Sequence, residues 1–287
     1  MPSKQDLRRR IRSVKSTQQI TKAMKMVAAA KLRRAQQRIV EARPYAAALE
    51  GMLRSLATQV PSRHHALLRE RAERRVSLVV VTGDKGLCGA FNTNLLREAN
   101  ALLTGGRWAE VELALVGRKG VDFFRHRGRK PVAVYPELMH NVTPAAASAL
   151  ADDLARRFAA RETDAVYVLF NHFRSIMQQQ VTLERLLPIA REAAGAEALA
   201  GGTIFEPSAG SLLHQMLPRH VQFQVLRMLL DSQAAEHASR MTAMDAATKN
   251  AAEMIDSLTL TYNRVRQASI TKELIEIVSG AQALAGR

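Results

Sequence analysis

The chain has 287 residues, enough for one or two domains with a substantial core, and its composition excludes several classes of protein. Cys88 is the only cysteine, so an internal disulfide or a cysteine-based metal cluster is excluded and a reducing compartment is indicated. No run of about eighteen apolar residues exists to span a membrane, and the first residues lack the apolar stretch expected of a secretory signal.

The net charge of +16 is concentrated in the first part of the sequence. Residues 1–43 carry thirteen Lys and Arg against two acids, whereas residues 219–287 carry eight against seven. A basic stretch of this density is typical of three kinds of partner: nucleic acid, anionic lipid, or an acidic protein surface. Composition alone leaves all three open.

The first predicted element is one long amphipathic helix, from about Ser3 to Thr58, in an amino-terminal domain of residues 1–60. Its apolar positions advance in alternating steps of four and three, which indicates a left-handed coiled coil. We expect Pro44 to bend this helix without ending it, and Pro61 to end it. Its seam consists of Ala28, Leu32, Ala35, Ile39, Ala42, Ala46, Leu49, Leu53, Leu56 and Val60.

The middle of the chain, residues 76–190, is predicted to be an α/β domain that follows a charged linker at residues 62–75. Short apolar runs bounded by turn residues indicate strands, and the segments between them indicate helices. This alternation predicts a Rossmann-like domain with a mainly parallel, five-stranded sheet. The expected strands are 76–82, 111–116, 132–135, 165–171 and 181–187, and the expected helices are 91–103, 121–126 and 143–161, the last capped by Thr143.

A second long helix is predicted from about Pro218 to Leu284, in a carboxy-terminal domain of residues 215–287 that follows a loop over residues 188–210. It carries the same repeat, and an antiparallel coiled coil with the first helix is the simplest way to bury both stripes. Its last ten residues or so should overhang the shorter first helix, and an exposed apolar tip of this kind normally marks a protein interface. Its seam consists of Leu230, Ala234, His237, Met241, Met244, Thr248, Ala251, Ile255, Leu258, Tyr262 and Val265, and its tip contains Leu274, Ile275, Ile277, Val278, Ala281, Ala283 and Leu284.

The segment from Gly83 to Gly89 lies between a strand and a helix, where phosphate-binding loops occur, but its glycine spacing matches no nucleotide-binding fingerprint. We therefore expect tight turns and close helix packing there, and no bound cofactor. Cys88 has no evident histidine partner, and the spacing of His214, His220 and His237 does not form a metal site. Because no catalytic group of residues emerges, we predict that the chain has no active site of its own.

Binding of nucleic acid is the strongest alternative suggested by the basic first helix, because basic-region helices contact DNA with a similar density of charge. Here, however, the apolar repeat overlaps the basic stretch, and no aromatic residue interleaves before Tyr45. A helix whose face is already paired with another helix has less surface available for DNA contacts, so we expect no nucleic acid partner. A nucleotide-using enzyme built on the α/β domain is the third hypothesis.

Four long blocks of sequence carry a specific resemblance. The blocks are ITKAMKMVAAAKLRRAQ (20–36), SLVVVTGDKGLCGAFNTNL (77–95), EHASRMTAMDAATKNAAEMI (236–255) and YNRVRQASITKELIEIVSGAQAL (262–284). They resemble the gamma subunits, or central stalks, of F-type rotary ATP synthases. With the plan of helix, α/β domain and helix, the resemblance covers essentially the whole chain, although residues 103–213 are less distinctive.

The resemblance implies a non-catalytic rotor shaft. In this family the coiled coil lies inside a hexamer of three alpha and three beta subunits, in a complex that also contains a delta subunit. The α/β domain binds the epsilon subunit and the ring of c subunits. Rotation of the ring, driven by protons, would turn the shaft and take the nucleotide sites in turn through ATP synthesis, and would also influence ATPase activity and proton flow.

The resemblance also implies a location. Neither a transit peptide nor the cysteine-bearing insertion of chloroplast members is evident, which favours a bacterial protein. It would be peripheral to the cytoplasmic side of the inner membrane, and its only membrane contact would be through the c ring.

Several residues take expected roles from the resemblance. Met24 and Lys25 should lie at the moving interface with the hexamer, and Arg266 and Gln267 should bind a loop of a beta subunit. The bearing at the tip should comprise Ile270, Leu274, Ile275, Val278 and Leu284. The seam that holds the shaft together should include Leu32, Ile39, Leu49, Met241, Met244, Ile255, Leu258 and Val265.

Overall fold

The computed structural model describes residues 3–59, 65–190, 206 and 208–285, with the side chains of 57–59, 280 and 282–285 outside the description. The chain divides into two compact units: a smaller one, residues 1–27 with 241–287, and a larger one, residues 28–240. Two long helices, α1 (Lys4–Gln59) and α5 (Ala209–Ala285), contribute residues to both units.

The larger unit contains a single sheet of five strands in the order β3-β2-β1-β4-β5. The first four strands are parallel, and β5 runs antiparallel to β4. The predicted fold class, a mainly parallel five-stranded sheet between two long helices, is therefore confirmed. The strands are β1 (Arg75–Val81), β2 (Glu110–Val116), β3 (Ala133–Tyr135), β4 (Ala165–Phe173) and β5 (Gln179–Leu187), and the shorter helices are α2 (Phe91–Thr104), α3 (Arg118–Arg125) and α4 (Pro144–Ala159).

Both faces of the sheet are covered, because successive residues of a strand point to opposite sides. On β1, Val79 and Val81 belong to the apolar cluster that includes residues of α4 and α5. Leu78 and Val80 belong to the opposite cluster, with residues of α2 and α3. A continuous apolar run is what a strand buried on both faces requires, so this element was readable from the sequence.

The start of α4 follows the predicted capping chemistry. The Thr143 hydroxyl accepts a hydrogen bond from the Ala146 backbone N–H at 3.2 Å, and Pro144 occupies the first helical turn. Proline is tolerated there because its missing N–H would have no helical partner. The predicted cap at Thr143 is confirmed.

The start of α5 differs from the prediction. The helix begins at Ala209 and passes through Pro218, whereas the sequence suggested a start at that proline. Leu213, Met216 and Leu217, which precede the proline, are buried in the core. Burial of their apolar area outweighs the one helical hydrogen bond that proline removes. The helix therefore takes in the last two residues of the predicted loop at 188–210, and residues 191–205 and 207 of that loop lie outside the described part.

Other boundaries shift by a few residues. The strands β4 and β5 extend further than predicted, to Phe173 and from Gln179, because they form one hairpin whose pairing continues almost to the turn. The helix α3 begins at Arg118 rather than Val121. The predicted linker contains a short 3-10 turn at Ala66–Leu68, with Leu67 buried.

The two long helices run antiparallel within each unit. In the larger unit Leu32 and Ala35 pack with Ala234 and Ala238. In the smaller unit, residues later in α1 contact residues earlier in α5, as an antiparallel pair requires. They are Lys4 with Glu273, Arg8 with Tyr262, Thr21 with Thr248, and Lys25 with Asp245.

The buried stripe of α1 also extends further toward the amino terminus than the apolar pattern indicated. Leu7 is 2% exposed and Thr21 is 8% exposed. The Thr248 hydroxyl donates a hydrogen bond to the Thr21 hydroxyl at 2.8 Å, so a polar pair replaces an apolar contact. Thr248 fell within the predicted seam of α5, but Thr21 lies before the predicted apolar stripe of α1 and gave no apolar signal.

Candidate functional site

The predicted seam residues are the covered positions of their helices. Leu32 and Leu49 on α1 are 3% and 5% exposed, and Met244 on α5 is 5% exposed. Five other predicted seam residues are half-buried, namely Ile39, Met241, Ile255, Leu258 and Val265. Burial therefore decreases along α5 toward its end, where the seam has less apolar area to hold it.

Lys25 has a partner within the chain. Its ammonium lies 2.5 Å from a carboxylate oxygen of Asp245, which also pairs with Lys249 at 3.1 Å. Hydrogen bonds from Lys25 and then Lys249 lower the pKa of Asp245. Met24 beside it is half-buried. The ammonium thus bridges the two helices of the smaller unit, and contact of Met24 and Lys25 with another subunit stays a prediction.

The end of α5 presents an uncovered apolar surface. The first residue of α1, Lys4, lies 3.8 Å from Glu273, so later residues of α5 have no turn of α1 beside them among the described residues. Arg266 and Gln267 are also exposed. The Leu284 side chain lies outside the described residues. The exposed apolar tip comprises Leu274 (57%), Ile275 (59%), Ile277 (68%) and Val278 (54%), and Ile270, just before Glu273, is 47% exposed.

Three further exposed apolar side chains, at two places in the larger unit, were not predicted from the sequence. Leu87 is 64% exposed and has a φ of 60°, a left-handed conformation that is unfavourable for leucine. In the turn between β4 and β5, Met177 is 82% exposed and Ile176 is 41% exposed. The only signal in the sequence was a large apolar residue between Gly86 and Cys88, where we expected only tight turns.

The loop from Gly83 to Cys88 binds α5 through hydrogen bonds to its backbone carbonyls. The Ser239 hydroxyl donates to the Cys88 carbonyl at 2.6 Å, and the Arg240 guanidinium donates to the Gly86 carbonyl at 3.3 Å. This loop therefore serves close packing, as the glycine spacing suggested. Over the described ranges, no three His, Cys, Asp or Glu side chains come together as a metal site.

His237 lies beside this contact and is 9% exposed. Burial, and then the charges of Arg240 and Lys31, lower the pKa of His237 from 6.5 to about 4. The imidazole is therefore neutral at pH 7. A neutral histidine among cations suits a buried seam position, because a charged one would add repulsion and a desolvation cost.

This shift predicts a pH dependence of stability. Between pH 6.5 and about 4 the unfolded chain binds a proton that native His237 does not, so acidification lowers the free energy of unfolding, by up to roughly 3 kcal/mol. We expect His237→Gln to lose less stability over this range than the unchanged chain. Urea unfolding of both proteins at pH 7 and pH 5 measures this. Equal losses would contradict the assignment, since the other titrating groups are common to both.

Comparisons with known proteins agree with these features. The sequence profile of a family described as ATP synthase matches residues 3–284. An ATP synthase gamma chain of Geobacter metallireducens is 48% identical over 288 aligned positions, which cover all of both chains. The chain belongs to the ATP synthase gamma-chain family.

Two solved structures have a similar fold. A chain of the Tetrahymena thermophila mitochondrial ATP synthase, from a cryo-EM structure of the central stalk and c-ring, is 27% identical with a TM-score of 0.61. The match covers 79% of the present chain and 99% of that chain. A Euglena gracilis mitochondrial ATP synthase chain, 19% identical with a TM-score of 0.68, shares the fold over 98% of the present chain and 94% of its own length.

Proposed function

We propose that this gamma-family chain is the central rotor shaft of a membrane ATP synthase. Its coiled coil would lie inside a hexamer of three alpha and three beta subunits. Its α/β domain would bind the epsilon subunit and the c ring, in a complex that also contains a delta subunit. The observation that best supports this proposal is the antiparallel pair of long helices ending in the exposed apolar tip of α5, which needs cover from other subunits.

The proposed role of the shaft is mechanical coupling. Each orientation of an asymmetric shaft would favour different conformations of the three beta subunits, because a contact shifts an equilibrium only by its differential affinity for the two states. Proton-driven rotation of the c ring would then drive the nucleotide sites through binding, synthesis and release in turn. The same coupling would let the shaft influence ATP hydrolysis and proton flow.

The chain is a subunit of an enzyme complex by family, and we propose that it contributes no catalytic group itself. Its contact with the membrane would be through the c ring alone, on the cytoplasmic side of a bacterial inner membrane. Throughout the described ranges, none of the helices combines the length and apolarity that crossing a bilayer requires. The basic first helix would face acidic protein surfaces rather than nucleic acid.

Co-purification tests this proposal. A tag on this chain, with extraction from membranes in mild detergent, should recover three alpha and three beta subunits, epsilon, delta and the c ring per copy, together with ATPase activity. Quantitative mass spectrometry of the eluate measures the stoichiometry. Recovery of the chain alone, or with nucleic acid that is released by moderate salt, would contradict the proposal.

A further inference from the structure

The contact between the Gly83–Cys88 loop and α5 lies at a particular place in the chain. The loop follows the carboxyl end of β1, at the centre of the sheet. It meets the segment Glu236–Arg240 of α5, and Arg240 is the last residue of the larger unit along α5. This contact, which we call the loop–helix joint, is thus the final point at which the α/β domain holds α5 within that unit.

Directional hydrogen bonds connect the two sides of the joint. The Ser239 hydroxyl donates to the Cys88 carbonyl at 2.6 Å, and Arg240 donates to the Gly86 carbonyl at 3.3 Å. Both acceptors are backbone atoms of the loop, so their positions are set by the fold and not by a flexible side chain. The loop itself is held by Asn92 of α2, whose side-chain oxygen accepts from the Gly83 N–H at 2.9 Å.

The joint also contains a buried ion pair. The Glu236 carboxylate lies 2.5 Å from the Arg240 guanidinium, and their side chains are 7% and 13% exposed. Burial raises the pKa of Glu236, while the adjacent Arg240 opposes this change. Separating the two side chains would leave an uncompensated buried charge, so each restricts the movement of the other.

Packing is tight where the loop begins, at Gly83. A β-carbon built on Gly83 would lie 3.1 Å from the carboxyl carbon of Glu236, closer than most real contacts. The carboxylate cannot easily move away, because Arg240 holds it. Beneath these groups Cys88, Phe91 and Ala235 form a small apolar cluster. Sterics, hydrogen bonds and charge therefore act together at one place.

We propose that the loop–helix joint is a torque-bearing contact that fixes the rotational setting of α5 against the α/β domain. Earlier in α5, the apolar contacts of Val221, Val225 and Met228 hold the helix with little directional preference. Asp231 and Gln233 add hydrogen bonds there, to His172 at 2.8 Å and to the Met139 carbonyl at 3.2 Å, and the joint supplies the last such bonds along α5 within the larger unit. At the joint, a rotation of α5 about its own axis would break the bond to Cys88 and separate Arg240 from Gly86. Ser239 and Arg240 are thus positioning residues for coupling. The inference rests on the proposed rotor function.

Two glycines of one loop provide a matched test. Gly83→Ala places a methyl group against Glu236, whereas Gly86→Ala in the same loop meets nothing within 4 Å. We expect Gly83→Ala to lower the ratio of ATP-driven proton pumping to ATP hydrolysis in the intact complex, and Gly86→Ala to leave it unchanged. Adding Glu236→Asp, which shortens the side chain and keeps its charge, should restore part of the ratio lost in Gly83→Ala.

Ser239→Ala is a second and less disruptive test, because it removes one hydrogen bond without adding volume. Loss of a neutral hydrogen bond should increase opening of the contact about fivefold. Hydrogen exchange of the loop amides in the assembled complex measures this opening. We expect faster exchange in Ser239→Ala, together with a lower ratio of proton pumping to ATP hydrolysis. The subunit composition of each purified complex shows whether it has assembled.

The outcomes separate the inference from the proposed function. Failure of the unchanged chain to co-purify with the hexamer would overturn the rotor itself. Complexes that assemble normally and couple fully despite faster loop exchange in Ser239→Ala would overturn the torque-bearing role alone. Equal coupling in Gly83→Ala and Gly86→Ala would also overturn that role.

Discussion

Met244→Asp should abolish ATP-driven proton pumping by the assembled enzyme. Met244 is 5% exposed in the seam of the smaller unit, so the substitution buries a carboxylate in place of an apolar side chain. An uncompensated buried charge costs roughly 3–5 kcal/mol, more than this seam of small and polar residues can offset. We expect the two helices of the smaller unit to separate and coupling to be lost. Adding Ile255→Asp should deepen the effect.

Met254→Asp is the matched control for this change, because Met254 lies on the same helix and is 53% exposed. A carboxylate there lies outside the seam and should leave the pairing of the two helices intact. Circular dichroism and proton pumping in membrane vesicles measure the two consequences. The larger unit should remain folded in both variants. Full coupling in Met244→Asp would show that the helix pair is not needed to transmit rotation.

Gly117→Ala should prevent stable folding of the α/β domain. Gly117 has a φ of 86°, and a β-carbon there would lie 2.1 Å from the carbonyl oxygen of Thr82. That carbonyl cannot withdraw easily, because the Thr82 N–H and hydroxyl both bind the Val116 carbonyl. Severe overlap with a fixed backbone should cost about 4 kcal/mol or more. We expect a large fall in melting temperature and no assembled complex.

Gly128→Ala is the control that distinguishes the effect of steric overlap from the effect of a left-handed backbone conformation. Gly128 also has a left-handed φ, of 69°, but a β-carbon there meets nothing within 4 Å. Alanine should cost only about 1 kcal/mol, the penalty of the left-handed conformation. Thermal unfolding of both variants measures the difference. If the two lost the same stability, the contact of Gly117 with Thr82 would have no role.

The main features of the fold could be predicted from the sequence because each depends on local pattern. The apolar run of β1 and the threonine before Pro144 are short signals with direct structural consequences. The repeat on the long helices extends over enough turns to identify a coiled coil. By contrast, Pro218 suggested a helix start, and only the burial of residues before it shows why the helix begins earlier.

The contacts at the functional surfaces were harder to predict from the sequence, because they join residues that are distant along the chain. Nothing in the pattern around Lys25 indicated an ion pair with Asp245, some 220 residues away. The glycine spacing of the Gly83–Cys88 loop favoured close packing over a nucleotide site, yet the contact that Gly83 makes depends on Glu236 of a remote helix. The buried hydroxyl of Thr21 bonds to the Gln18 carbonyl of its own helix and to Thr248 across the helix pair, and the second partner could not be predicted from the local pattern.

Direct observation of rotation tests the central claim. Met177 is 82% exposed and can carry a probe as Met177→Cys, whereas Cys88 is 2% exposed and its thiol pKa is raised by burial. With the hexamer immobilised and ATP supplied, a bead on position 177 should turn in one direction, at a rate that follows ATP hydrolysis. Continued hydrolysis with a stationary bead would contradict the rotor account.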